Sequence, residues 1–488
     1  MGLIRRCWAI CPLKARKVEK VARRGTSGHG SQRRRSRAAR TASTAREVEV
    51  RSSNRVPGTV RVPVTMHWIF APAGLLVVLP LPVLVGSLLI PDDQFLPLFG
   101  QPSFLDEATR ATALAYLVIM LVIFVVLVPM RGRAVAEIAL DATAVAWLER
   151  VVKVLAFITF TAYAVWIGNA LLRGLRFGTM LQLLSGEAGT MYVLRGQYFE
   201  SISGVTTWMQ LGAILAPLAV LRERATGRSA RRLVGVLLFL AFARALLNSE
   251  RLALIEIVLS VAIAYFVLRR EAPSWVRRPV SAGLLVVGSW LVLFGVFSAF
   301  EFFRSWTSAQ ASFDGDFSTY AATLLLGYYA TALNLAAFDG YVLGSQLAPG
   351  QLFDGSLWES LFGASPVAGV QQAYGLETFT NRSGLLVPQI AFGEIGGALV
   401  VVATALLLAV LARWTARGHV VAFALYCASC VGVLEIVRIY YFGSSRFLPV
   451  AVAGACMAIS WALVANKRRQ NLRYLSPPLE NGTRSWSR

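Results

Sequence analysis

Residues 113–130 read ALAYLVIMLVIFVVLVPM, with no charged side chain, and Arg110 and Arg131 stand on either side. A helix needs roughly 20 mostly apolar residues to cross the hydrocarbon core of a bilayer, and this run supplies nearly all of them. Comparable stretches recur at about 68–90, 152–172, 202–221, 231–247, 252–268, 279–299, 391–412, 420–437 and 448–465. The pattern predicts an all-α, polytopic membrane protein of about 10 (10–12) transmembrane helices, with residues 66–465 as the membrane domain.

Composition supports this. Of 488 residues, 56% are hydrophobic and only 15% charged, yet the formal net charge is +22. Soluble proteins are ~25% charged. A nucleic-acid binder could reach this charge, but not with a mean hydropathy of +0.59. Apolar mass and basic charge must therefore lie in different segments. Residues 1–65 hold 17 Lys/Arg against 3 acids and no long apolar run. They read as a disordered basic cytoplasmic arm, or as sequence preceding a true start near Met66. They are not a signal peptide, because no apolar core follows the basic residues closely. Residues 466–488 form a basic tail.

Orientation follows from the loops, since Lys and Arg accumulate on the cytoplasmic side. With residue 67 inside, inner loops and tail carry 21 Lys/Arg and outer loops 8, while acids divide 6 to 14. Both termini are then cytoplasmic. An eleventh span at 318–338 (STYAATLLLGYYATALNLAAF) would reverse the last basic segments, so it is expected as an interfacial or re-entrant helix at the outer face. It belongs to the one large outer loop, 300–390, which carries seven acids and two arginines, Arg304 and Arg382. Long loops in compact folds are usually functional.

The chemical inventory is short. Cys427 and Cys430 share a helix face inside a span and read as small packing residues. The three histidines, His29, His67 and His419, all fall on the cytoplasmic side. Asp314-Gly315-Asp316 reads as a polar turn before a metal motif, and no metal or cofactor is expected. Ionisable residues within spans are costly and usually paired or functional. Here they are Lys153, which can snorkel, and Arg244, Glu256, Glu394, Glu435 and Arg438. Two readings stand. In one, pairs such as Glu435–Arg438 and Glu250–Arg251 are structural. In the other, Arg244, Arg251, Arg438 and Arg446, with Arg304 and Arg382 above them, line a cationic outer cleft. Arginine grips phosphate oxygens with two parallel hydrogen bonds, which suits a lipid diphosphate arriving from the bilayer.

Three stretches resemble the oligosaccharide repeat-unit polymerases, the O-antigen (Wzy-type) polymerase family of bacterial membrane glycosyltransferases. They are LNSERLALIEIVLSVAIAYFVLRR (247–270), LLGYYATALNLAAF (325–338) and ETFTNRSGLLVPQIAFGEIGGALVVVATALLLAVLARW (377–414). The last holds Gly393-Glu394-Ile395-Gly396, where the family opens a span with Gly-x-x-Gly. Arg304…Gly315 and Arg382…Gly393 repeat a spacing seen in some members.

The resemblance implies a GT-C-like fold in the bacterial inner membrane and polymerisation of undecaprenyl-diphosphate-linked oligosaccharides into surface polysaccharide. The expected partners are the lipid-linked oligosaccharide, membrane lipid, a chain-length regulator and a flippase, with no nucleic acid. Arg251 and Arg244 would stabilise the leaving diphosphate, and Glu435 or Glu394 would be the base. Arg438, Arg446, Arg304 and Arg382 would bind the diphosphate, and Tyr328, Tyr329 and Trp358 would stack on sugars. The alternatives are a transporter or flippase of a lipid-linked or anionic solute, or a related O-antigen ligase. The ligase expects an outer-loop histidine that this chain lacks.

Overall fold

A computed structural model describes residues 58–128, 136–176, 178, 194–202, 204–247, 250–270, 279–306, 309–310, 313, 315–342 and 381–475. Strand β1 (Val60–Val64) pairs antiparallel with β2 (Ala136–Leu140), Val62 opposite Ile138. The helices are α1 (Pro72–Val78), α2 (Pro80–Leu88), α3 (Asp92–Phe99), α4 (Glu107–Leu127), α5 (Ala142–Leu172), α6 (Gly212–Thr226), α7 (Arg231–Leu247), α8 (Arg251–Val267) and α9 (Pro279–Glu301), followed by α10 (Phe317–Val342), α11 (Val387–Ala416), α12 (Val420–Leu434) and α13 (Phe447–Leu475).

Local chemistry sets many of the boundaries. Asp106 caps α4 by accepting from the Thr109 amide at 2.7 Å, and Asp141 caps α5 through Ala144 at 2.9 Å. Each satisfies an amide that the first helical turn leaves open. Pro72 and Pro80 open α1 and α2, where a missing N–H does no harm.

Among the described residues five helices are long and apolar enough to cross a membrane: α4, α5, α10, α11 and the Phe447–Asn466 part of α13. A sixth is reached if α1–α2 and α3, bent by 107°, count as one broken span. This is a mostly helical, membrane-type architecture, with fewer long helices than the ten expected. For three of the expected spans the difference lies in helix length. α7 and α8 have 17 residues each and α12 has 15, about 26 Å and 23 Å at 1.5 Å per residue. Exposed Val126, Phe157, Leu172, Leu399, Ile459 and Leu463 spread over α4, α5, α11 and α13. Such a belt is suited to a hydrocarbon solvent.

The core is α6, buried at every residue from Gly212 to Leu221 and packed against α5, α8 and α12. A helix that is apolar all round belongs in such a place. Two segments take definite form. Residues 60–64, in the last part of the basic arm, are strand β1. The segment 318–338 is helical throughout. It forms most of α10, which at 26 residues qualifies as a span by length and composition. Its window is 61% buried, more than any other candidate span. Its contacts run to Phe104, Arg251 and Ser383, segments expected near the outer face.

Candidate functional site

Four of the six charged residues of the spans, Arg244, Glu256, Glu435 and Arg438, gather around the start of α8. Arg244 lies in the last turn of α7, and Arg251 is the first residue of α8. Glu250, just before α8, reaches Arg244 of α7 at 2.5 Å and Arg446, just before α13, at 2.6 Å. Arg446 also meets Glu256, further along α8, at 3.6 Å. With its amide turned to donate to Glu256, Gln210 accepts from Arg446 at 3.2 Å. Burial alone would lower the pKa of Arg446; the Glu250 and Glu256 carboxylates outweigh it and raise it, so Arg446 stays charged.

A second group lies alongside. Arg251, the first residue of α8, donates to Glu301 at the end of α9 and to the Tyr328 hydroxyl at 2.7 Å. Its guanidinium sits 4.4 Å from the Phe297 ring centroid and 4.8 Å from that of Tyr328. Arg438 comes to the same Tyr328 ring at 5.6 Å and pairs with Glu435 at 3.2 Å. Two guanidiniums thus share one aromatic ring, an arrangement that cation–π attraction supports.

These pairings replace the expected cationic cleft. Arg244, Arg251, Arg438 and Arg446 are matched by Glu250, Glu256, Glu301 and Glu435, so the described cluster is formally neutral. Lone charges in a buried setting would be far too costly, and pairing is the physical reason. Among the described residues two guanidinium donors, Arg251 Nη1 and Arg438 Nε, are nevertheless buried without a hydrogen-bond partner, as are the carboxylate oxygens Glu256 Oε1 and Glu435 Oε2. Buried donors are nearly always satisfied, so a pair of orphans beside one ring is a feature to explain.

The remaining expected residues divide. Arg382 donates to the fully buried Asp339 of α10 at 2.5 Å. Tyr328 faces the arginines, whereas Tyr329, about 100° around the same helix, is buried in the hydrophobic core and offers no open face for a sugar. Trp358 lies outside the described residues. Arg304 lies just beyond α9. Asp316 accepts from the Thr319 amide at 2.8 Å and opens α10, as a polar turn should; Asp314 lies outside the described residues. Cys427 and Cys430 are buried free thiols of α12.

Glu394 belongs to a different place. A cavity of about 1150 Å³ lies between the start of α4, the end of α10 and the start of α11, and Glu394, Gln389, Asp92 and Asp106 are among its lining residues. Asp92 is paired with Arg110, and Asp106 is occupied as a helix cap. Glu394 is exposed and forms no ion pair among the described residues. It follows Gly393, whose φ of 72° and ψ of 179° break α11 in a conformation essentially reserved for glycine. Gly384 ties the cavity wall to the arginines. A Cβ there would stand 2.3 Å from the Ile439 carbonyl oxygen and 2.7 Å from that of Ile436, so the chain can pass only as glycine.

Sequence reasoning did not single out Glu301, Asp339, Gln210 or Phe297. Each lies far along the chain from its partner, and no local spacing signals the contact. Comparison with protein-family models, with curated proteins and with solved structures finds no match.

Proposed function

We propose that the protein is a bacterial inner-membrane glycosyltransferase that polymerises undecaprenyl-diphosphate-linked oligosaccharide repeats on the outer face, with a GT-C-like fold. The observation that carries this reading is the pair of donors unpartnered among the described residues, Arg251 Nη1 and Arg438 Nε, whose guanidiniums both come to the Tyr328 ring. Oxygens of a diphosphate would satisfy both. In the transfer, the bond from the anomeric carbon to the diphosphate oxygen breaks, and the carbon bonds to a hydroxyl oxygen of the second repeat. The lipid diphosphate departs with the electron pair. Fixed cations stabilise its developing charge.

The ion pairs assign different work to the four arginines. Arg251 and Arg438 touch the diphosphate. Arg244 and Arg446, held by Glu250 and Glu256, are positioning residues that fix the start of α8. The proton of the attacking hydroxyl goes to a carboxylate. Glu435, beside Arg438, and the exposed Glu394, in the cavity that the acceptor glycan would enter, are the two candidate bases.

Gel analysis of surface glycan tests the reading. Deletion in a strain with no second polymerase should replace the ladder of chain lengths with single repeats, and an unchanged ladder would sink it. Arg251→Lys keeps the charge and loses the planar fork, so it should reproduce the deletion.

A further inference from the structure

The arginines that set orientation also build a pocket at the opposite end of α8. A cavity of about 540 Å³ is lined by Arg61 of β1, Arg224 in the last turn of α6, and Arg269 and Arg270 just after α8, over Val62 and Leu268. Its size falls within the range of small-ligand sites, about 300–1,000 Å³. All four arginines are exposed, while Val62 and Leu268 are buried and form a firm base.

The backbone carrying these side chains is fixed. The Thr65 amide donates to the Val267 carbonyl at 2.8 Å, and the Thr65 hydroxyl donates to the Arg269 carbonyl at 2.5 Å. This clamps the end of α8 to the end of β1. The Arg269 guanidinium stacks over Phe266 at 5.2 Å, which leaves its edge to donate. Arg61 meets one carboxylate, Glu137, at 3.6 Å; both are about half exposed, so the pair is weak. The C-terminal end of α8 adds partial negative charge that favours Arg269 and Arg270 staying there.

Orientation needs positive charge in a loop but no convergence. Four forked donors from three separate elements around one cavity exceed that need. We infer that this pocket binds a phosphate-bearing anion on the face opposite the Arg251–Arg438 pair. A phospholipid headgroup and a soluble phosphate ester share the required chemistry, because arginine holds either through paired hydrogen bonds to phosphate oxygens.

The test uses the full chain in nanodiscs of phosphatidylcholine containing a quarter phosphatidylglycerol, with retained phosphatidylglycerol counted by native mass spectrometry after partial delipidation. Arg269→Lys with Arg270→Lys preserves charge and orientation but removes two forks, and should lower retention about fivefold. The same exchange at Arg231 and Arg232, which do not line the pocket, should leave retention within about twofold. Arg224→Lys gives an independent single-site check. Competition by inorganic phosphate or glycerol phosphate, lost in the double variant, assigns the site to a soluble ester; its absence, with retention still fork-dependent, assigns it to lipid. Equal retention in both double variants, with no fork-dependent phosphate binding, overturns the inference.

Discussion

At the N-terminal end of α8, four arginines meet four carboxylates; Arg244, Glu256, Glu301 and Glu435 are buried and the other four are partly so. At its C-terminal end, about 26 Å away, four exposed arginines meet one carboxylate among the described residues. The residue type is the same, and the surroundings decide what it does. Beside bulk solvent a guanidinium keeps its hydration and can remain unpaired. Away from water it is tolerated only with a partner, because desolvation costs several kcal/mol per ion. The helix dipole sharpens the contrast. Arg269 and Arg270 sit at the favourable end of α8, while Arg251 sits against the positive end and is offset by Glu250 before it and Glu301 across from it. The paired end is therefore read as architecture that leaves two donors for chemistry, and the unpaired end as a surface open to anions.

The largest way to break this contrast is at Arg446, which bridges two carboxylates. Arg446→Met leaves Glu250 and Glu256 facing one another and should destabilise the protein by about 3–5 kcal/mol. Denaturant unfolding in detergent measures it. Adding Glu256→Gln to that variant should return part of the loss, since one buried charge is removed. An unfolding midpoint unmoved by Arg446→Met would mean that the bridge is not what holds the paired end.

Next comes the backbone that carries the paired end. Gly384→Ala forces a methyl group into the Ile439 and Ile436 carbonyls, and no flexible side chain is there to yield. The expected penalty is about 2–3 kcal/mol, close to that for overpacking a core. Because Gly384 lies against the strand of chain bearing Arg438, activity should fall further than stability alone explains. Full activity with normal unfolding would show that the two segments can separate freely.

How much of this could be read beforehand depends on range along the chain. Positions of most apolar helices were legible in hydropathy, and Glu435–Arg438 in its i, i+3 spacing. The neutral balance of the cluster was not. Arg251 finds Glu301 50 residues on, and Arg446 finds Glu250 196 residues back. Tertiary packing around the start of α8, which brings in the end of α9 and the start of α13, unites such groups. Helix length was hidden for a related reason. Hydropathy over 202–221 reads as a span, and in α6 the residues from Gly212 to Leu221 are all buried by protein. Hydropathy does not separate that from lipid. Strand β1 was masked by the basic composition of the arm that precedes it.

A smaller effect is expected at Gly393, and it separates strain from crowding. No atom lies within 4 Å of a Cβ built there, so Gly393→Ala meets no clash, only an unfavourable φ of 72°. The cost should be about 1–3 kcal/mol. If α11 relaxes by straightening, Glu394 leaves the cavity, and transfer should fail in a protein that still folds. Equal activity with Ala would mean that the break in α11 does not position Glu394.

The smallest expected effect is at the unpaired end, and it completes the comparison. Arg61 and Glu137 form an ion pair at 3.6 Å with nearly half of each side chain in solvent. Coulomb energy there is screened, and the gain is offset by the entropy of holding two flexible chains. Arg61→Gln should therefore shift stability by less than about 0.5 kcal/mol, and adding Glu137→Gln should change little more. The same denaturant unfolding that detects Arg446→Met serves as the measure. A loss from Arg61→Gln approaching that at Arg446 would show that both ends are held by ion pairs, and would remove the reason for treating the arginines around the smaller cavity as available to a ligand.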